Sequence, residues 1–299
     1  MDSFRHIGLM GRVSEEKVRE TISLLERFLL AKGVQVVLEE RVAAAIPDAE
    51  SRASTIKMIG ESCDLAIIVG GDGSLIGAAR QLAQHDIPLL GVNRGRLGFL
   101  TDVSPDQLET QIGAILEGEF KLEKRFLLEA LLTRDGQPIG KSEAVNDVVL
   151  DSGKSARMIE YELFIDDEFV YSQQSDGLII SSPTGSTAYA LSGGGPIMHP
   201  KLDALVLVPM FPHTLSSRPI VVDGNSEIKI VIGGNNPTNP QLNCDGQVNF
   251  SAAPGDVLYV RKRRHSFKLV HPLDHSFYAA CRDKLDWGNR LGRRSEPSS

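Results

Sequence analysis

LAIIV at residues 65–69 runs straight into GGDGS at 70–74. Five apolar residues in a row suit a strand covered on both faces. The glycines behind it suit a tight turn where backbone comes close to a ligand. A helical pattern resumes at Leu75, with Ala78, Ala79, Leu82 and Ala83 on the same face. Strand, glycine turn and helix in that order put the turn beyond the carboxyl end of a strand, where open α/β sheets bind ligands. Free N–H groups in the first turn of the next helix can hold phosphate oxygens. Asp72 is the one ionisable side chain in the turn. Helix capping accounts for an Asp or a Ser at this place, but not for three glycines around it. The cluster fits neither the Walker A spacing nor GxGxxG.

The alternation extends on both sides. His6–Met10 reads as a strand. Val18, Ile22, Leu25, Phe28 and Leu29 follow at helical spacing, and Gly33 stands where that helix stops. Val34–Leu38 reads as a strand, 52–62 as a weak helix and Ile87–Val92 as another buried strand. This order predicts a doubly wound parallel α/β sheet. Residues 105–117 predict one more helix, closed by Gly118. From about 120 to 270 the chain becomes strand-rich, with candidates at Arg125–Thr133, Val145–Leu150, Ile159–Ile165, Gly177–Ser181, Leu205–Val208, Ile228–Ile232 and Val257–Arg261. Turn signals at Asp135-Gly136 and Asp223-Gly224 separate some of them. A β-sandwich is expected for this part. Residues 275–286 predict a terminal helix, and the SEPSS tail reads as disordered.

Composition sets limits on function. The chain has 299 residues, with 32 Lys+Arg against 39 Asp+Glu and a net charge of −7. That balance argues against a large nucleic-acid footprint, which needs a basic face. RKRRH at 261–265 reads as a solvated strand end. Cys63, Cys244 and Cys281 are far apart and form no CxxC pair, so neither a zinc knuckle nor a dithiol redox site is expected. The first residues lack the pattern of a signal peptide, and no apolar run is long enough to cross a membrane, so a cytoplasmic protein is expected. There is no HExxH or GxSxG, and the histidines show no metal-ligand spacing, so no protein-held metal is expected.

Further clusters carry candidate chemistry. SPTGSTAY at 182–189 runs on to SGGGP at 192–196. Its hydroxyls and exposed N–H groups suit ribose and phosphate, and Tyr189 offers a face for a base, although such a run also occurs as a plain loop. Asp176-Gly177 lies just before the apolar run Leu178–Ile180, and is expected at the same strand end. Asn146-Asp147 pairs an amide with a carboxylate, which suits ribose hydroxyls, although taken locally it reads first as a solvated hairpin position. NCDGQ at 243–247 reads as a turn, and Arg94 and Arg96 follow the fourth strand.

Together these pieces resemble the NAD kinase family, and its bacterial members in particular. The resemblance rests on GGDGS at 70–74, NRGRLGFLTD at 93–102, NDVVL at 146–150, SDGLIISSPTGSTAYALSGGGPI at 175–197, LVPMFPHTLSSRP at 207–219 and CDGQ at 244–247, and covers nearly the whole chain. GGDG alone also occurs in lipid kinases and phosphofructokinases; the SPTGSTAY segment is more specific. The resemblance implies an α/β nucleotide-binding domain at 1–102, joined by the returning segment 273–299, and a β-sandwich NAD-binding domain at 103–272. It implies phosphoryl transfer from ATP, with Mg²⁺ or Mn²⁺, to the 2′-hydroxyl of the adenosine ribose of NAD. It makes Asp72 the general base. It carries ribose and nicotinamide-side contacts to Asn146, Asp147 and Asp176, and adenosine and pyrophosphate contacts to Thr187, Ala188, Tyr189, Ala190, Leu191 and Ser192. Gly73, Arg157, Gln174 and Gln247 also fall at ligand-contact positions. The family usually has Asn-Glu where this chain has Asn146-Asp147, and several members have arginine at Gln174. A homodimer or homotetramer is implied, with neighbouring subunits helping to form the NAD site. A non-catalytic NAD(P)-binding sensor and a lipid or sugar kinase sharing only the GGDG turn are the alternatives.

Overall fold

The computed structural model describes residues 4–94, 98–153, 157–236 and 238–288. Arg96 and the SEPSS tail lie outside them. The chain divides into two compact units, Met1–Lys124 with Phe267–Ser299, and Arg125–Ser266.

In the first unit, strands β1 (His6–Gly11), β2 (Gln35–Glu39), β3 (Arg52–Ser54), β4 (Leu65–Val69) and β5 (Pro88–Val92) form a parallel sheet in the order β3-β2-β1-β4-β5. Lys268 and Leu269 extend it beside β5. Every residue of β4 is buried, as its unbroken apolar run requires. Helix α1 (Glu16–Ala31) buries Val18, Ile22, Leu25 and Leu29 on one stripe against the core. Helices α2 (Glu40–Ala45), α3 (Ile56–Ser62), α4 (Asp72–Leu82) and α5 (Leu108–Leu116) follow. The weak helix expected at 52–62 is a short strand, β3, and then α3. The helix expected over 105–117 is a 3-10 turn at Pro105–Gln107 followed by α5. The compact unit runs to Lys124 rather than to the 102/103 boundary of the sequence reading, because Leu108, Ile112 and Ile115 of α5 belong to the same core as β1 and α1.

The second unit holds a six-stranded antiparallel sheet. Its order is Ile220–Asp223, Ala204–Met210, Gly177–Ser181, Asp147–Asp151, Gln241–Cys244, Val248–Ser251. A further antiparallel array joins Glu168–Ser175, Ile159–Ile165, Ile228–Ile232 and residues 257–260. One hydrophobic core draws on both, including Val148, Leu150, Leu178 and Ile180 from the first and Tyr161, Leu163, Ile230 and Leu258 from the second. That is the sandwich arrangement expected. RKRRH is not a strand end, since the strand Val257–Pro272 runs through it. Arg261 pairs with Glu129, Lys262 with Asp203 and Arg263 with Glu143. Three of the four Lys/Arg cations in the run are thus paired with carboxylates of their own unit.

Candidate active site

The glycine turn sits at the carboxyl end of β4. Gly71 is the N-cap of α4, and Asp72 is the first residue of that helix, three residues ahead of the start read from apolar spacing. The Asp72 carboxylate reaches across to the loop after β5. Its Oδ2 accepts the Phe99 N–H at 2.8 Å. Its Oδ1 accepts the N–H groups of Leu100 and Thr101 at 3.2 and 3.1 Å, and the Thr101 hydroxyl at 2.9 Å. Among the described residues four donors fasten this carboxylate, three on Oδ1 and one on Oδ2. A carboxylate offers about four lone-pair sites, so Oδ2 keeps the accepting capacity. Asn93 braces the same loop through its amide to the Thr101 hydroxyl at 2.9 Å. A Cβ on Gly98 would overlap the Asp72 carboxylate, so glycine is needed for this close approach. Gly71 differs: it is exposed, and among the described residues nothing beyond its own chain neighbours lies within 4 Å of where a Cβ would sit.

In the second unit Asp245 organises the Asn146-Asp147 corner. Its carboxylate accepts the N–H groups of Val145, Asn146 and Asp147 at 2.9, 2.8 and 3.3 Å. Asp245 and Gly246 form the tip of the turn, both at positive φ, and Gln247 follows, its N–H bonded to the Cys244 carbonyl. Asp147 is 5% exposed, not a solvated hairpin position. Burial and the neighbouring Asp245 charge push its carboxyl up to about 7. Near neutral pH it can both donate and accept toward a hydroxyl.

The SPTGSTAY segment crosses this corner. A Cβ on Gly185 would overlap the Asn146 backbone. Ser182 donates to the Val145 carbonyl at 2.6 Å, and the Ser186 hydroxyl bonds the Pro183 carbonyl and the Met198 N–H. Both serines are buried. These hydroxyls are scaffold, whereas the sequence reading offered them to ribose and phosphate. Ser192 and Tyr189 are exposed and Ala190 buried, on the one-turn helix Tyr189–Ser192. Thr187, Ala188 and Leu191 are half-buried beside them.

Asn146, Asp147, Gln247 and the 182–187 loop thus gather at one end of the strand Gly177–Ser181, where Ser181 is in register with Asp147. Asp176 stands at the other end, next to Gly177, which pairs with Asp151. The expected shared strand end is therefore wrong: five residue steps, ~17 Å, separate them. Gln174 is exposed on Glu168–Ser175, and Arg157 is exposed. The sequence reading missed the roles of Asp245 and Thr101. DG in CDGQ and TD in FLTD were the only local signals.

The histidines also differ from expectation. His271 and His275 converge on Asp102 within the first unit.

Residues 7–120 match the ATP-NAD kinase N-terminal domain, and residues 145–272 match the ATP-NAD kinase C-terminal domain. The chain is 58% identical over 292 residues to an NAD kinase of Ectopseudomonas mendocina (strain ymp), covering 98% of this chain and 99% of that one. It is 56% identical over 296 residues to an NAD kinase of Pseudomonas entomophila (strain L48), covering 99% and 100%. Among solved structures it is similar to yeast NADH kinase complexed with NADH, with a TM-score of 0.87 at 25% identity over 98% of this chain and 91% of that one. An NAD kinase from Archaeoglobus fulgidus in complex with ATP shares the fold, with a TM-score of 0.72 at 23% identity over 95% and 100%.

Proposed function

The chain belongs to the NAD kinase family, and from that membership we propose that it transfers the terminal phosphoryl group of ATP to the 2′-hydroxyl of the adenosine ribose of NAD, giving NADP and ADP. The turn at 70–73 carries this reading. Packing among the described residues leaves room for a Cβ on Gly71, so close approach of a ligand, not the protein's own core, calls for glycine there.

A ribose hydroxyl is a weak nucleophile. Asp72 accepts its proton at Oδ2 as the new O–P bond forms and the bond from phosphorus to the bridging oxygen of ADP breaks. The Phe99–Thr101 donors hold the carboxylate in one orientation, so much of the catalysis lies in positioning. A divalent cation, Mg²⁺ or Mn²⁺, supplies charge neutralisation on the triphosphate. With its carboxylate already tied to the loop, Asp72 suits a cation carried by phosphates and water better than one caged by protein. Asn146 and Asp147 hold ribose hydroxyls, and Gln247, Arg157, Gln174 and Gly73 make further contacts. Thr187 to Ser192 flank the adenosine and pyrophosphate.

The separation of Asp176 from Asp147 supports a homodimer or homotetramer in which a neighbouring copy supplies Asp176 to the nicotinamide side. A cytoplasmic setting is part of the same proposal. No helix among the described residues is long and apolar enough to cross a membrane.

Incubating the chain with ATP, Mg²⁺ and NAD, and measuring NADP with an NADP-specific dehydrogenase, tests the activity. NADP and ADP are expected in equal amounts. NAD binding without NADP would instead establish a sensor, and phosphorylation of a lipid or sugar with NAD inert would establish another kinase.

A further inference from the structure

His271 and His275 take no part in the phosphoryl-transfer reading, yet both direct Nδ1 at one carboxylate oxygen. His271 Nδ1 lies 2.9 Å and His275 Nδ1 2.6 Å from Asp102 Oδ2. The ligand-type atoms of the three residues all lie within 4.8 Å of one another. The side chains of His271, Asp102 and His275 are 1%, 9% and 13% exposed. Hydrogen bonding alone leaves this cluster incomplete. Asp102 Oδ1 is buried without a hydrogen-bond partner among the described residues. His271 Nε2 lies 3.5 Å from Glu123 Oε2. A histidine that binds metal through one nitrogen nearly always turns its other N–H to a carboxylate or carbonyl. His271-Pro272-Leu273-Asp274-His275 has the H-x₃-H spacing of zinc sites, contrary to the expectation that the histidines lack metal-ligand spacing.

We propose that Asp102, His271 and His275 form a binding site for a transition-metal dication of the zinc class, with a fourth position open to water. On binding, each Nδ1 presents its lone pair to the metal, so the ring keeps its one hydrogen on Nε2 and any second proton leaves to solvent. The Nε2–H of His271 then faces Glu123. Metal bonds of 2.0–2.1 Å place tetrahedral ligands ~3.3 Å apart, so the two nitrogens move outward from Asp102 Oδ2 by ~0.4 and ~0.7 Å, and the two rings, now stacked with planes 17° apart, rotate away from each other to aim both lone pairs at one ion. His275 follows the exposed Leu273 and Asp274, which allows that movement and gives access from solvent. Two imidazoles and one carboxylate select zinc, cobalt or nickel over magnesium. Asp102 directly follows Thr101, whose N–H and hydroxyl hold Asp72. The bound metal fastens the C-terminal segment to that loop.

The test uses the untagged full chain after chelation, titrated with Zn²⁺ by calorimetry and with Co²⁺ by visible absorption. One equivalent should bind, with the intense visible bands of four-coordinate cobalt. His275→Ala should weaken binding at least tenfold, and Zn²⁺ should raise the Tm of the parent chain but not of the variant. If His275→Ala fails to fold, His275→Gln carries the same comparison at closer size. Absence of stoichiometric binding, or binding that loss of the His275 imidazole leaves unchanged, overturns the proposal.

Discussion

Asp72 and Asp147 show how far the environment sets what a carboxyl can do. Asp72 is tied by four donors of one loop. Asp147 sits buried beside a second carboxylate and is pushed up to about 7. An unfolded chain releases that proton near pH 4. Between these values the folded protein keeps a proton that the unfolded chain has lost. The resulting stabilisation is full below about pH 4 and is lost as pH rises through about 7. Asp147→Asn, neutral at every pH, should therefore raise Tm relative to the parent chain by more at pH 8 than at pH 5. Thermal melts at both pH values check this, and equal shifts would contradict it. Asp72 was legible as a candidate because glycines surround it after an apolar strand. Its partners were not, because Phe99 to Thr101 lie 27 to 29 residues away. Asp245 was harder still, since the amides it holds are about 100 residues distant.

Elements were legible where one face meets a core. β4 and α1 follow their apolar patterns, as do the strands Ile159–Ile165 and Ile228–Ile232. The first turn of α4 carries no apolar signal, because Asp72, Gly73 and Ser74 face away from the core. The strand Val257–Pro272 was cut short for a related reason. Its charged middle is matched by carboxylates 59, 120 and 132 residues away, which no local periodicity reports. The loop after β5 depends on a bare Gly98 against the Asp72 carboxylate. Gly98→Ala should displace that carboxylate and lower kcat by about 10²-fold, as misplacing a reacting group does. Circular dichroism should show the fold retained. A kcat within twofold of the parent would mean that this contact does not position Asp72.

At the scale of the whole molecule, both domain matches and relatives at 56–58% identity support one chemistry across the chain. The placement of Asp147 and Asp176 at opposite strand ends makes subunit exchange informative. Asp72→Asn and Asp176→Ala should each be impaired alone. Mixed and allowed to exchange, they should recover activity above either, since one site in each hybrid then has both aspartates. No recovery despite demonstrated exchange would place Asp176 in its own chain's site. Whether Asp72 takes the proton from the ribose hydroxyl of NAD is decided by comparing Asp72→Asn with the parent chain for both NAD affinity and NADP formation. With Asp72 as the base, kcat should fall by about 10²–10⁴-fold with NAD still bound. Near-normal kcat in Asp72→Asn would contradict it.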